Sequence, residues 1–160
     1  MISIKRYDPA FAAQVTDIFY SAVHSIDDKI YSPAQKKAWA PLPIDYESWS
    51  SRLQGKQPFL AFHGQNLSGF IELEDDGHID CMYVAPQYQR LGIGNALFLH
   101  LYKQAQSRKM AKLSVDASHL ARPFFEKHGF TVDKENNLKL RGEVLVNFSM
   151  SRPLGDSQDY

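Results

Sequence analysis

The sequence predicts an α+β fold, a mixed α/β arrangement in which a central, mostly antiparallel sheet is flanked by helices. Three observations lead there. Residues 57–63, 67–74 and 77–84 are apolar or alternating runs separated by turn residues, the signature of an antiparallel meander. Residues 84–97 then read as a strand end, a turn at Pro86, two glycines and an amphipathic helix. A strand at 112–116 follows that helix, so the chain makes a strand–helix–strand crossover before closing with a helix and two strands.

Element by element, residues 2–7 alternate apolar and polar side chains as a half-buried strand does. Asp8-Pro9 supplies a cap and a favoured first helical position, and Phe11, Val15, Ile18, Phe19, Ala22 and Val23 recur at helical spacing to about residue 24. From 25 to 55 the pattern breaks: Pro33, Pro41 and Pro43 leave room for short helices over 34–40 and 46–53. Gly64-Gln65-Asn66 makes the turn between the first two meander strands, and Gly77 opens the third. A helix over 94–109, a strand over 112–116, a helix over 118–128 and two strands within 130–154 complete a domain spanning 1–154. Residues 155–160 read as a polar tail.

At 160 residues the chain suits one domain. Lys plus Arg equal Asp plus Glu at 18 each, so no basic excess marks the chain as a nucleic-acid or anionic-membrane binder. Cys81 is the only cysteine, which rules out an internal disulfide and fits a reducing compartment. The first residues run into charges at once, and no stretch approaches the ~20 apolar residues of a membrane helix. A cytoplasmic protein is therefore expected. The six histidines fall into no helical ligand box, so no metal is expected.

Gln89-Arg90-Leu91-Gly92-Ile93-Gly94, placed between a strand and a helix, can cradle an anion. First-turn amides have no internal acceptor, the helix dipole is positive there, and glycine keeps a Cβ out of the way. A dinucleotide fingerprint would need a small residue where Leu97 stands, and a P-loop needs Gly-Lys-Ser/Thr, which is absent. The hexapeptide instead resembles the pyrophosphate loop of the GNAT superfamily of N-acetyltransferases. Ser118-His119-Leu120-Ala121-Arg122-Pro123-Phe124-Phe125-Glu126-Lys127-His128-Gly129-Phe130 resembles that family's Asn-x-x-Ala-x-x-x-Tyr-x-x-x-Gly-Phe segment, in the same order and spacing. The resemblance spans residues 2–154. The run from Val23-His24 through Tyr31, Gln35 and Ala38-Trp39-Ala40-Pro41 further resembles one bacterial branch of the family.

The resemblance implies an acetyl-CoA-dependent acyltransferase acting on a primary amine of a small molecule, peptide or protein, by direct attack in a ternary complex. A non-catalytic acyl-CoA-binding module is the alternative. It implies that the amides of Arg90, Leu91, Gly92, Ile93, Gly94 and Asn95 hold pyrophosphate, with Gln89 fixing the loop. Backbone groups of Met82, Tyr83 and Val84 would meet the pantetheine, a bulge near Met82 and Tyr83 would aim an amide at the acetyl oxygen, and Ser118 and Phe125 would touch the cofactor arm. Family members are often dimers, so a homodimer stays open.

An alkyl ammonium must lose a proton before it attacks, so a base is expected. Alignment with polyamine acetyltransferases points to Asp80 first. His78, the position of the glutamate in the histone-acetyltransferase branch, comes second, and Glu72 on the preceding strand third. Phe125 stands where many members carry a proton-donating tyrosine, leaving Tyr83, Ser118 or water as donor, or departure of the thiolate unaided. A covalent route through Cys81 is the minor alternative. Acceptor contacts are expected from His24, Tyr31, Trp39 and Trp49, in a segment that also carries Tyr46, Asp27, Asp28, Asp45 and Glu47, which suits an amine with an apolar or aromatic body.

Overall fold

The computed structural model describes residues 1–155, so the expected polar tail lies, beyond Gly155, outside the described residues. Its elements are β1 (Ile2–Lys5), α1 (Ala12–His24), α2 (Pro33–Trp39), α3 (Tyr46–Lys56), β2 (Phe59–His63), β3 (Asn66–Leu73), β4 (His78–Val84), α4 (Ile93–Ser107), β5 (Lys112–Ala117), α5 (Arg122–Lys127), β6 (Thr131–Leu140) and β7 (Glu143–Pro153). The strands form one seven-stranded sheet in the order β1-β2-β3-β4-β5-β7-β6. Every neighbouring pair is antiparallel except β4 and β5, joined by the crossover through α4. No helix of the described residues is long and apolar enough to cross a membrane.

Local chemistry accounts for the helix starts. Asp8 Oδ1 accepts from the Ala10 amide at 2.9 Å and opens a 3-10 turn over Pro9–Phe11 that leads into α1. Ser32 and Gln35 form a reciprocal capping box at α2. The last helix is shorter than expected, six residues rather than 118–128. Ser118 is the reason, because its Oγ accepts from the Ala121 amide at 3.1 Å and fixes a turn ahead of the helix, whose first turn then takes Pro123.

Two apolar clusters cover the two faces of the sheet. On one, Leu97, Phe98 and Leu101 of α4 pack with Ile79, Leu113 and Val115. On the other, Val15, Phe19 and Val23 of α1 pack with Leu53, Leu60 and Phe70.

Two irregularities of β4 create the site. The register with β3 runs Ile71↔Met82 and then Leu73↔Ile79, so Asp80 and Cys81 together stand opposite Glu72. That is a bulge, and it changes which face each side chain takes. Ile79, Met82 and Val84 pack on the α4 side while Cys81 and Tyr83 pack on the α1 side, a distribution that strict alternation forbids. Sequence reasoning expected the bulge near Met82 and Tyr83; it falls at Asp80 and Cys81 instead, where no glycine or proline marks it. The second irregularity is a fork. β4 and β5 pair only at His78↔Ser114 and Ile79↔Val115, and beyond that point the two strands part.

Candidate active site

The fork opens a cleft of about 870 Å³ between β4 and β5. Met82, Tyr83 and Val84 line one wall, Val115, Ala117 and Ser118 the other, and Gln89, Arg90, Gly92, Ile93, Gly94 and Asn95 the mouth. Leu91 is half-exposed and does not line this cleft, so within the loop only its backbone remains a candidate contact. The loop is built for its conformation: Arg90 and Gly92 have φ of 65° and 86°, and Gly92 caps α4 in the left-handed region. The Ala96 amide is the first to find a partner in the helix, donating to Gly92 O at 3.0 Å, and the preceding first-turn amides are left free for a ligand. A Cβ added at Gly94 would come within 3.3 Å of Met82 Cε and 3.6 Å of Phe124 Cε1, so glycine keeps the mouth open.

Phe125 lines the cleft floor but is only 1% exposed, packed edge-on against Phe98, Phe124 and Phe130. It is core first, and only an edge of it is left to the cleft. Phe124, which the sequence suggests is core, is less buried than Phe125 and also lines the cleft.

A second pocket of about 340 Å³ adjoins the cleft on the α1 side. Its walls are aromatic and aliphatic: Phe19, Tyr31, Trp39, Trp49 and Tyr83 face Leu138, Leu140, Leu145 and Val146 of the final hairpin. Trp39, Asp80, Tyr83, Asp116 and Ser118 line both spaces and mark where they meet. Three of the four expected acceptor residues, Tyr31, Trp39 and Trp49, are therefore brought together. His24 is not. Its Nε2 lies 2.8 Å from Ala40 O and its ring stacks on Tyr20, so it ties α1 to the end of α2 and lines neither space, which corrects its assignment as an acceptor contact.

The candidate bases have very different surroundings. Arg52 of α3 spans the bulge: Nη1 donates to Glu72 Oε2 at 2.7 Å, and Nη2 donates to Asp80 Oδ2 at 2.7 Å and to Cys81 Sγ at 3.3 Å. Its guanidinium also lies 4.9 Å from the Trp49 ring centroid. Lys56 Nζ adds a second ion pair to Asp80 Oδ2 at 2.8 Å. Burial alone would raise the Asp80 pKa, but the Lys56 hydrogen bond and the charges of Arg52, Lys56 and His78 outweigh it and hold the carboxyl below its ordinary value. Asp80 thus stands at the junction as a neutralised anion of reduced basicity rather than the free base the alignment suggested.

Glu72 is fully buried under Arg52 and lines neither space, which removes it from reach of an acceptor. Burial pushes its pKa up despite Arg52, and Oε1 has no hydrogen-bond partner. His78 also lines neither space. Its Nδ1 is 2.9 Å from Ser114 Oγ, and its Nε2 points at Asp116, 3.8 Å from Oδ2. Burial first, then the neighbouring Cys81, push the Tyr83 phenol well above its ordinary range, so it parts with its proton reluctantly. Burial does the same to the Cys81 thiol, which removes the thiolate that a covalent route requires. Glu74, His78 and Asp80 bring ligand atoms within 4.8 Å of one another, but Lys56 Nζ sits 3.1 Å from Glu74 and 2.8 Å from Asp80, so an ammonium already neutralises these carboxylates.

Sequence reasoning missed two site residues. Arg52 is separated from its partners by 20 to 29 positions, and nothing local announces the contact. Asp116 carried a signal, being the lone acid of strand β5, two residues before the Ser118 motif.

A cleft at a parallel strand fork, a glycine loop at its mouth and a second pocket at its apex are features of one class of protein. Residues 27–152 match the family model described as the acetyltransferase (GNAT) domain, and the chain belongs to that family. It is 36% identical over 149 residues, 93% of its length and 94% of the relative's, to the uncharacterised N-acetyltransferase YafP of Escherichia coli strain K12. It superposes with a TM-score of 0.89 and 33% identity on a GCN5-related N-acetyltransferase from Rhodopseudomonas palustris, covering 95% of both chains. The PaiA N-acetyltransferase of Thermoplasma acidophilum, solved in complex with coenzyme A, shares the fold at a TM-score of 0.74 and 19% identity, with 96% of this chain and 99% of that one covered.

Proposed function

We propose that the chain transfers the acetyl group of acetyl-CoA directly to a primary amine carried on an apolar or aromatic body. The observation that carries this reading is the junction of the two spaces, a cofactor-sized cleft and an aromatic pocket that share Trp39, Asp80, Tyr83, Asp116 and Ser118. The donor lies in the fork, its pyrophosphate on the amides of residues 90–95 and its pantetheine along Met82, Tyr83 and Val84. The thioester then reaches the apex, beside Asp80 and Asp116. That PaiA, which shares the fold, was solved in complex with coenzyme A supports a CoA donor, and the aromatic walls support the acceptor class.

In the reaction the neutral amine nitrogen attacks the thioester carbonyl carbon. The C–N bond forms, the C–S bond breaks, and its electron pair leaves on sulfur. As the C–N bond forms, the nitrogen gives up its surplus proton, which reaches the departing thiolate and leaves free CoA. The pocket contributes chiefly by holding nitrogen and carbonyl carbon together. Phe125 offers no proton, and the CoA thiol, with a pKa near ~8.5, needs little help to leave.

The test is release of free thiol from acetyl-CoA in the presence of a panel of alkyl, arylalkyl and aromatic amines, with calorimetry on acetyl-CoA alone. Amine-dependent thiol release, strongest for the arylalkyl members, is expected. Tight binding without release on any amine would favour the second reading, an acyl-CoA-binding module, which the proton-free Phe125 motivates.

A further inference from the structure

Asp80 and Asp116 are the first residues beyond the fork, one on each prong, since the last paired positions are Ile79 and Val115. Both line the cleft and the pocket. Their hydrogen-bond and close ion-pair partners differ. Asp80 Oδ2 is shared by Arg52 and Lys56. Asp116 meets no lysine or arginine among the described residues: Oδ1 accepts from Ser149 Oγ at 3.0 Å, and Oδ2 faces His78 Nε2 at 3.8 Å. Its carboxylate is half-exposed at the junction, so a ligand can reach it.

We propose that Asp116 is the base that takes the proton from the attacking amine, with His78 as its positioning partner and outlet for that proton. The assignment rests on the acetyl transfer proposed above. The acceptor arrives as an ammonium and first pairs with the carboxylate. One N–H bond breaks, its electrons stay on nitrogen as the attacking lone pair, and the proton moves to Asp116 Oδ2. His78 Nε2 stands behind that oxygen to receive it, while Nδ1 is anchored on Ser114 Oγ. A histidine reached only through a carboxylate does not itself touch substrate. Its part is to orient Asp116 and discharge it between turnovers.

The charged groups around Asp116 support the division of labour. From β4 come His78 and Asp80, and from α3 come Arg52 and Lys56, both committed to Asp80. β5 and β7 contribute only the hydroxyls of Ser114 and Ser149. Asp80 is therefore tied up by two cations and serves as an electrostatic wall, whereas the half-exposed carboxylate of Asp116 has no cationic side chain but His78 beside it and is open to the acceptor.

The experiment compares Asp116→Asn, His78→Gln and Asp80→Asn with the unmodified protein, as kcat/KM against pH, on two acceptors. One is an arylalkylamine, an ammonium at neutral pH; the other is an aromatic amine, already neutral there. Asp116→Asn is expected to lower kcat on the arylalkylamine by about 100-fold or more, and to move the acidic limb of its profile up toward the ionisation of the amine itself, since only acceptor that is already neutral can then attack. The aromatic amine, which has no proton to lose before attack, should lose less than about 10-fold. His78→Gln should shift the acidic limb without removing it, and Asp80→Asn should leave the limb in place. Equal losses on both acceptors, or an acidic limb that moves in Asp80→Asn and keeps its place in Asp116→Asn, would overturn the assignment. If the unmodified protein turned over neither amine, the transfer reaction itself would fail, which is a different result.

Discussion

Glu72 and Asp80 share one guanidinium: Arg52 donates to Glu72 Oε2 and to Asp80 Oδ2, each at 2.7 Å. The two carboxylates nevertheless titrate in opposite directions, because one is fully buried with an orphaned oxygen while the other is partly solvated and has Lys56 as well. Burial lifts Glu72 above its ordinary value of 4.5. Despite a burial penalty, Lys56 and Arg52 hold Asp80 below its ordinary 3.8.

The signs of the stability effects follow. A carboxyl raised in the fold binds more protons folded than unfolded, so Glu72 lowers stability as pH rises from 4.5 through its folded value. A depressed carboxyl does the reverse. Asp80 contributes stability above 3.8, lost as pH falls through its lower folded value. Thermal midpoints of Glu72→Gln and Asp80→Asn relative to the unmodified protein, taken from about pH 3 to about pH 7, should diverge. Glu72→Gln should gain relative stability with rising pH and Asp80→Asn should lose it. Parallel curves would mean that Arg52 does not distinguish the two.

The parts of this site that were legible in the sequence are those whose chemistry is local. Gly92 and Gly94 declare a free helix start, and the turn at Gly64 between the apolar runs of β2 and β3 declares a meander. The glycine loop and the strand before it therefore fell where expected. What depends on strand register was hidden. Nothing in Ile79-Asp80-Cys81-Met82 marks an extra residue, yet the bulge there decides that Asp80 and Cys81 both meet Arg52. His24 shows the opposite failure, since a histidine in a motif-like run proves to be held by the carbonyl of Ala40. Asp116 was passed over because strand β5 reads as core, and only the fork shows that its acid stands at an opening.

Gly94 gives the sharpest test of the loop, because it lies within α4 and, unlike Gly92, has no positive φ to confuse the result. Gly94→Asp places a carboxylate among amides that would otherwise face phosphate, so calorimetry should detect no acetyl-CoA binding while circular dichroism stays that of the parent. Gly94→Ala, whose methyl is tight only against the flexible end of Met82 at 3.3 Å and in ordinary contact with Phe124 and Val84, should bind more weakly but measurably. Parental affinity in the aspartate variant would remove pyrophosphate from this loop.

Trp39 and Trp49 separate the two spaces, since Trp39 lines both and Trp49 lines only the aromatic pocket. Trp49→Ala removes the ring beneath Arg52, an interaction of about 0.5 to 1 kcal/mol at a partly exposed site, together with one wall of the pocket. It should raise KM for an arylalkylamine by about 10-fold, as loss of uniform binding does, and leave acetyl-CoA affinity unchanged. Trp39→Ala should weaken both ligands. An unchanged amine KM in both variants would place the acceptor elsewhere.

Tyr31 links the pocket to the fold. It is 2% exposed, donates from Oη to Val146 O at 3.0 Å and accepts from the His119 amide at 3.0 Å, so one hydroxyl ties β7 to the turn after β5. Tyr31→Phe keeps the ring against Trp39 but strands a carbonyl and an amide, at a cost of about 1 to 3 kcal/mol. For a domain of this size that lowers Tm by roughly 2 to 10 °C. Val146 also lines the pocket proposed for the acceptor, so loosening the hairpin should raise the amine KM while acetyl-CoA, which the proposal seats on the glycine loop, binds as before. A variant that lost stability with both KM values intact would show that the hydroxyl supports the fold alone, and that the hairpin wall keeps its place without it.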